Sequence, residues 1–471
     1  MTYMTNTPNE STTTLKNIWG TSGIDNSYLE WVNLSGEEPV LPSMYKVGLV
    51  SQSAVAATGL AAAAVWHRRT GQQQYVTVDM KQSTIAFRSE RYTSINGSVV
   101  HKPVDDIHGF YQCGDGGWIQ LHANYPAHRS GIVTILQCES NRTDVQRELD
   151  KVSAFQAEGL FTENGLPAGM MRTLAEWSKH PQGIAVSGLP LLEIDKIGDS
   201  PPLILGDNPE RPLDSVKVVE LTKVIAGPLI GRTLAEHGAE VLWLNSPHLD
   251  LIEGLVIDMS RGKNTANIDI RQEEGKSKLR ELIGGADIFV QGYRPGSIAS
   301  KGFSFEDIAE IKPGIIYVEL SAFSHEGPWS HRRGFDSIVQ TVSGIGREGA
   351  KAIGEDGMLH LPCQALDHAT GYLGAFGAMA ALIRRSEEGG SWRVRVSLAQ
   401  TAEWLKSLGI LNRMDIEDFS QSQIKEFMCC DDSSYGRISY TCPAAILSRT
   451  PGYWDSPPSS FGTHQPEWRQ A

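Results

Sequence analysis

From residue 206 onward, short β-branched apolar runs alternate with stretches of helical period. VKVVEL (216–221) and AEVLWL (239–244) flank the helical stretch IGRTLAEHG; TANIDI, ADIFVQ and GIIYVEL follow as further strands, with EGKSKLRELIGG among the helices between them. Strands alternating with helices predict a parallel, doubly wound sheet. A second pattern is LPCQALDHATGYLGAFGAMAALIRR, apolar almost all the way round and therefore expected to be a buried helix. This pattern recurs. Aligning 47–82 with 365–400, an offset of 318 residues without a gap, gives eight identities, among them Gly59/Gly377, Val76/Val394 and Gln82/Gln400. The order of elements recurs whole: apolar helix, basic turn with Gly, then an alternating strand reading YVTVDM or RVRVSL.

These patterns divide the chain. Residues 1–14 are polar and expected to be a disordered tail. The Pro-rich stretch GDSPPLILGDNPERPLD (198–214) reads as a linker. It separates a unit at 15–205, holding the first repeated helix and a small domain, from a unit at 206–415 with the alternating strands and helices; 416–471 is expected to be a C-terminal tail segment. The fold class is α/β.

Composition narrows the function classes. The 471 residues carry 42 Lys and Arg against 55 Asp and Glu, a net charge of −13 that argues against general nucleic-acid binding. No run of about 18 apolar residues marks a membrane span. The start, MTYMTNTPNESTTT, has no apolar stretch of the secretory kind. Asn96 and Asn141 head chance glycosylation matches, and the final WRQA is not a peroxisomal address of the usual form. Cys113, Cys138, Cys363, Cys429, Cys430 and Cys442 show no CxxC pair and no Cys/His ligand spacing, so reduced thiols and no metal site are expected. The adjacent Cys429 and Cys430 read as two packed small hydrophobes. A cytoplasmic location is expected, with mitochondrial or peroxisomal placement left open.

Asp367 carries the candidate chemistry. It lies at the start of the second repeated helix, where first-turn N–H groups and the helix dipole favour an ionised carboxylate. A carboxylate held charged beside apolar surroundings is a candidate nucleophile toward an activated acyl group, although Asp is also among the best N-caps. In the first copy the same position is Leu49, so only one copy can carry carboxylate chemistry. Gly227 and Pro228 open a helix at the carboxyl end of a strand, a place that suits phosphate as well as a plain βα turn. Three basic loops follow: Arg261 and Lys263 around Gly262; Tyr293, Arg294 and Pro295; and His331, Arg332 and Arg333. On one side of one sheet they would form a cationic rim for a phosphate-rich ligand. GIGREG (344–349) matches a dinucleotide string but follows no clear strand, and CGDGGW (113–118) reads as an Asp-Gly hairpin turn. No Ser-His-Asp arrangement or G-x-S-x-G is visible.

Together these segments resemble the family III coenzyme A transferases, the CaiB/BaiF family. The resemblance rests on VELTKVIAGPLIGRTLAEHGAEV, SRGKNTANIDI, ADIFVQGYRPGSIASKGF, PGIIYVELSAFSHEGPW, RRGFDSIVQTVSG and LDHATGYLGAFGAMAALIRR, which cover about 214–412 in the family's order. It implies a Rossmann-like CoA-binding domain with a parallel sheet, a smaller α+β domain, and a homodimer of two interlocked chains. The implied reaction moves CoA from an acyl-CoA donor to a carboxylic acid acceptor through an aspartyl anhydride and thioester, with CoA as substrate rather than a permanently bound cofactor. Asp367 matches the family nucleophile. Val224 and Ala226 are expected to line the CoA site, with Lys263, Tyr293, Arg294 and Arg333 approaching it. Two departures stand out. NSPHLD replaces the family's acid and Gly-Asp loop, which puts contacts to the adenosine end in question. Phe335 stands where the racemase branch carries a proton-transferring His. The alternatives are an acyl-CoA racemase or isomerase, which needs a second acid–base group, and a non-catalytic CoA-binding protein. The first half resembles the later part of a family member and the second half its front, as in a fused, partly deleted duplication. On this reading the first-half small domain closes over the second-half CoA site, within the chain or across a dimer.

Overall fold

The computed structural model describes residues 10–101, 105–412 and 414–469. Residues 1–9 of the expected tail lie outside them. Residues 10–14 do not form a tail: helix α1 (Glu10–Gly20) begins there and buries Leu15, Ile18 and Trp19, spaced to share one helix face. Helix α2 (Val47–Thr70) follows, then strand β1 (Val76–Asp79) and the short helices α3 (Met80–Ala86) and α4 (Ser89–Tyr92). The small domain comes next. Strands β2 (Gly109–Gln112) and β3 (Trp118–Leu121) form the expected Asp-Gly hairpin, with Gln112 opposite Trp118. Helices α5 (Pro126–Leu136) and α6 (Ala154–Glu163) pack on this sheet, which β4 (Ala168–Met170) completes. The first half ends in β5 (Glu193–Gly198).

The second half supplies β6 (Lys217–Leu221), helix α7 (Ala226–Glu236), β7 (Glu240–Asn245), β8 (Lys263–Asn267), β9 (Ile288–Gln291) and β10 (Ile316–Ser321). Helices α8 (Asp336–Val342) and α9 (Ala365–Glu388), strand β11 (Ser391–Ser397) and helix α10 (Leu398–Ser407) follow. The sheet order is β8-β7-β6-β9-β10-β11-β5. Its first six strands are parallel, in the order of a Rossmann fold, and reverse direction of winding between β6 and β9. The seventh, β5, comes from the first half and runs antiparallel to β11. The TANIDI strand starts earlier than its apolar pattern suggests, at Lys263, because pairing with Val241 extends it.

The two repeated segments fold alike. α2 and α9 each have 24 residues, with first and last residues both displaced by the same 318 positions. Each stops at a glycine with positive φ, 70° at Gly71 and 65° at Gly389, a conformation that favours glycine. The shared glycines explain themselves. A side-chain carbon at Gly59 would lie 3.0 Å from Val76, and one at Gly377 would lie 2.5 Å from Val394, so each helix presses on its own following strand. The helices also pack on each other, with the Thr58 hydroxyl donating to the Tyr372 carbonyl at 3.0 Å. Val47–Thr70 is long and apolar enough to cross a bilayer, but its apolar surface is spent against α1, α9 and β1 inside the chain.

The segment from 416 on is built into the fold. A hairpin of β12 (Met428–Ser433) and β13 (Gly436–Thr441) is closed by a disulfide between Cys429 and Cys442, whose Cα atoms lie 5.1 Å apart. This overturns the expectation of reduced thiols and packed neighbours at 429–430: the hairpin brings together two residues 13 apart in sequence, and Cys430 is left exposed. Ile446–Leu447 then pairs antiparallel with β1, as β5 pairs with β11. Beyond it the chain covers the free edge of β8, where the His464 N–H donates to the Thr265 carbonyl at 3.0 Å.

Candidate functional site

The carboxyl ends of β6, β7, β9 and β10 open into a cavity of about 600 Å³ at the point where the winding reverses. This is where an open α/β sheet offers its loops and helix starts to a ligand. Val224 and Ala226, between β6 and α7, line it. Val224 has φ 72°, a left-handed conformation that is uncommon for a β-branched residue and costs on the order of 1–3 kcal/mol. Tyr293 and Arg294 come from the loop after β9, and Arg333 from the loop before α8. Asp367, 8% exposed in the first turn of α9, forms part of the same wall. The structure therefore gathers six of the seven sequence-derived site residues around one cavity.

Lys263 is the exception. It is fully buried beneath α7, where its ammonium donates to Glu220 Oε2 at 2.8 Å and to the Pro228 carbonyl at 2.6 Å. Burial pulls Lys263 down to about 8, and the Glu220 charge offsets part of that. The expected approach of Lys263 to the cofactor is thus corrected. Lys263 opens strand β8 instead of lying in a loop, and its side chain turns inward to a buried carboxylate on β6 and an open carbonyl on α7 that accept the charge. Arg261 behaves likewise, donating to Asp258 Oδ1 at 3.0 Å. Of three basic loops, only the second and third reach the rim.

Other cations take the place of the missing loop. Lys223, Arg271, Lys301 and His248 line the cavity; Lys223 and Lys301 lie inside family-like segments, but nothing in those segments singled them out. Arg271 is paired with Asp269 at 2.9 Å, so part of its charge is already answered. Arg333 is half-buried, and burial followed by the nearby Arg294 weakens its hold on a proton, a site of concentrated positive charge suited to phosphate oxygens. Asn245, Ser246, His248, Leu249 and Asp250 show that the NSPHLD loop borders the cavity despite its departure from the family pattern.

The small domain supplies part of the wall. Tyr125, Ala127 and His128, at the start of α5, line the cavity together with Asp367. Lys223 lies 5.1 Å from the Tyr125 ring centre, a cation–π contact across the two halves. A buried charge cluster fastens the halves together: Glu158 on α6 accepts from Arg332 at 3.0 Å and from Arg172. Phe335 stacks on His122 with ring centres 3.7 Å apart and planes 5° apart. Burial, then Arg333 and Lys223, pulls His128 down to about 4, which leaves a neutral imidazole in the wall.

The electrostatics at Asp367 run opposite to the expectation. Burial, then the neighbouring Asp336 and Glu90 carboxylates, pushes its carboxyl well above the usual range. Two of the N–H groups at the helix start are already taken by another carboxylate. Asp336 Oδ2 accepts from the Asp367 backbone N–H at 3.0 Å, and Leu366 donates to Asp336 as well. Those two N–H groups are consequently not free to act as oxyanion donors.

The sequence matches a family model described as CoA-transferase family III over residues 17–201 and 213–428. Acetyl-coenzyme A transferase nodX of Hypoxylon pulicicidum is 34% identical over 279 residues, covering 56% of this chain and 47% of that protein. An acyl-CoA transferase of Gibberella moniliformis is 27% identical over 418 residues, covering 79% of this chain and 73% of that protein. The chain thus matches less than half the length of the first of these relatives. A crystal structure of a CaiB/BaiF family protein from Brucella suis is 26% identical, with a TM-score of 0.38 over 49% of this chain and 66% of that one.

Proposed function

The chain belongs to CoA-transferase family III, and from that premise we propose that it transfers CoA from an acyl-CoA thioester to a carboxylic acid, with Asp367 as nucleophile. The observation that carries this reading is that Asp367 shares one cavity with Arg294, Arg333 and Lys223. A carboxylate able to attack a thioester and a cationic rim able to hold phosphates meet in one space.

In the proposed sequence, ionised Asp367 attacks the thioester carbonyl and expels CoA thiolate, leaving a mixed anhydride. The thiolate attacks the aspartyl carbonyl of that anhydride and the donor acid leaves as carboxylate. The acceptor carboxylate then attacks the aspartyl thioester, forming a second anhydride and releasing thiolate again. Attack of thiolate on the acceptor acyl carbonyl yields the new acyl-CoA and regenerates Asp367. Each step exchanges one acyl bond for another, so no redox partner is needed.

Asp367→Asn is expected to abolish turnover while CoA binding is kept, measured by steady-state assay and calorimetry; retained turnover sinks the assignment. Mass spectrometry after incubation with a panel of acyl-CoAs is expected to show an adduct on Asp367. Racemase chemistry is disfavoured because Phe335 fills the place of the second acid–base group and shields His122 behind it. Exchange of the substrate α-proton in heavy water would reverse that judgement. The equal 318-residue displacement of α2 and α9 supports an internal duplication, and the lining by Tyr125, Ala127 and His128 supports a site closed by the first-half small domain within one chain. A homodimer is proposed on the family resemblance alone.

A further inference from the structure

Helix α9 begins without a cap of its own. Gln364, at the N-cap position, makes no side-chain hydrogen bond to the first turn. An Asp in that turn would ordinarily fold back on the open N–H groups. Here another helix fills the need. Asp336 Oδ2 accepts the Asp367 N–H at 3.0 Å, and Leu366 donates to the same residue. Asp336 is itself held in place, since the Gln340 amide donates to its Oδ1 and Gln340 Oε1 accepts the Leu361 N–H at 2.7 Å.

The first copy of the repeat has the same device built from different residues. Lys46 gives α2 no side-chain cap, and Glu38 Oε1 accepts the Leu49 N–H at 2.8 Å, with Gly48 donating as well. Leu49 and Asp367 are equivalent positions. Both helix starts are therefore closed by a carboxylate from another segment. At Leu49 nothing more results. At Asp367 a reactive side chain is left free of the helix it sits on.

We infer that Asp336 is a positioning residue for Asp367: by capping α9 from outside, it leaves the Asp367 carboxylate free to face the cavity and sets a second negative charge beside it. Other groups surround this pair. Glu90 of α4 meets His368 Nε2 at 3.0 Å and Arg91 at 3.5 Å, and its carboxylate also opposes ionisation of Asp367. Arg232 of α7 is paired with Asp258 at 2.9 Å, and Cys363 is buried ahead of the helix. From the cavity side come Lys223, Arg333 and the neutral His128. After burial, Asp336 is the strongest influence opposing ionisation of Asp367.

The kinetic part of this inference rests on Asp367 being the nucleophile; the titration part does not. Protein labelled with 13C at the Asp side-chain carboxyl is titrated by NMR, with the Asp367 signal identified by its loss in Asp367→Asn. In Asp336→Asn the Asp367 titration is expected to move about one pH unit or more toward acid, as removal of an adjacent like charge should do. The acid limb of kcat/KM for acyl-CoA is expected to move with it. Asp336→Ala, which loses cap and charge together, is expected to lower kcat about a hundred-fold with KM little changed, and Asn to restore most of that loss. An unmoved Asp367 titration in Asp336→Asn overturns the inference, as does equal slowing by Ala and Asn without any shift of the acid limb. A shifted titration alongside full turnover in Asp367→Asn would leave this inference standing and remove the proposed nucleophile.

Discussion

Lys263 and Arg333 are both basic residues of the same sheet and its loops, the first opening β8 and the second in the loop before α8, yet one is sealed under α7 and the other faces the cavity. The difference lies in Glu220, a carboxylate in the middle of the apolar run VKVVEL that must find a buried partner. Removing one member of such a pair strands the other. Lys263→Met is expected to lower the unfolding free energy by about 3–5 kcal/mol in urea titrations while CoA affinity stays near wild type, and Glu220→Leu added to it should recover most of that loss. Arg333→Ala should do the reverse: little change in unfolding, with CoA binding weakened about ten-fold or more in calorimetry at low salt and less at high salt. Asp336 adds a pH signature. Burial lifts its carboxyl from 3.8 to about 6, so the folded state holds a proton that the unfolded chain gives up. That contribution to stability is complete below about pH 4 and is lost as pH rises through about 6. Asp336→Asn should flatten this part of the wild-type dependence of urea midpoint on pH. Asp367, Val224, Ala226, Tyr293, Arg294 and Arg333 were legible because their segments have a family pattern. Lys223, His248, Arg271 and Lys301 were not, although Lys223 and Lys301 lie in family-like segments, since a lone cation carries no sign of which way it points.

At the scale of elements, the alternating strands and helices after 206 announced their sheet through β-branched runs, and the six parallel strands follow that reading. The seventh strand was hidden because β5 lies at an edge, with half-exposed residues and no strong apolar period. The repeated helix was visible as composition, and its glycines now have distinct roles. Gly377 faces the side chains of Val394 and Leu192, whereas Gly371 faces the Ala226 carbonyl and the Leu229 Cβ, both 2.8 Å from where its own Cβ would stand. Each Ala substitution should cost about 1–3 kcal/mol in unfolding. Gly371→Ala should also slow catalysis, because it pushes α9 away from α7 one turn from Asp367, while Gly377→Ala should leave kcat near wild type. Parallel urea titrations and steady-state kinetics of the two variants check the contrast.

At the scale of the whole molecule, the two halves are interwoven. β5 of the first half completes the large sheet, Ile446–Leu447 completes the small sheet of the first, and part of the wall around Arg294 and Arg333 comes from α5. The linker reading of 198–214 rests on local composition, which gives no hint that the elements on either side cross over, since pairing between distant strands leaves no local trace. A fragment spanning 206–471 is therefore expected to show no transferase activity, and coexpression with 1–205 to restore it; full activity from the fragment alone would contradict the shared site.

The paired helix starts have an evolutionary consequence. In an assembly of two identical polypeptides, every inherited change is copied to both equivalent places, and a defect tolerated in one is imposed on the other. Here the leucine at 49 and the aspartate at 367 are separate codons of a single message. One helix start is at liberty to drift, or to acquire another task, without its twin having to follow.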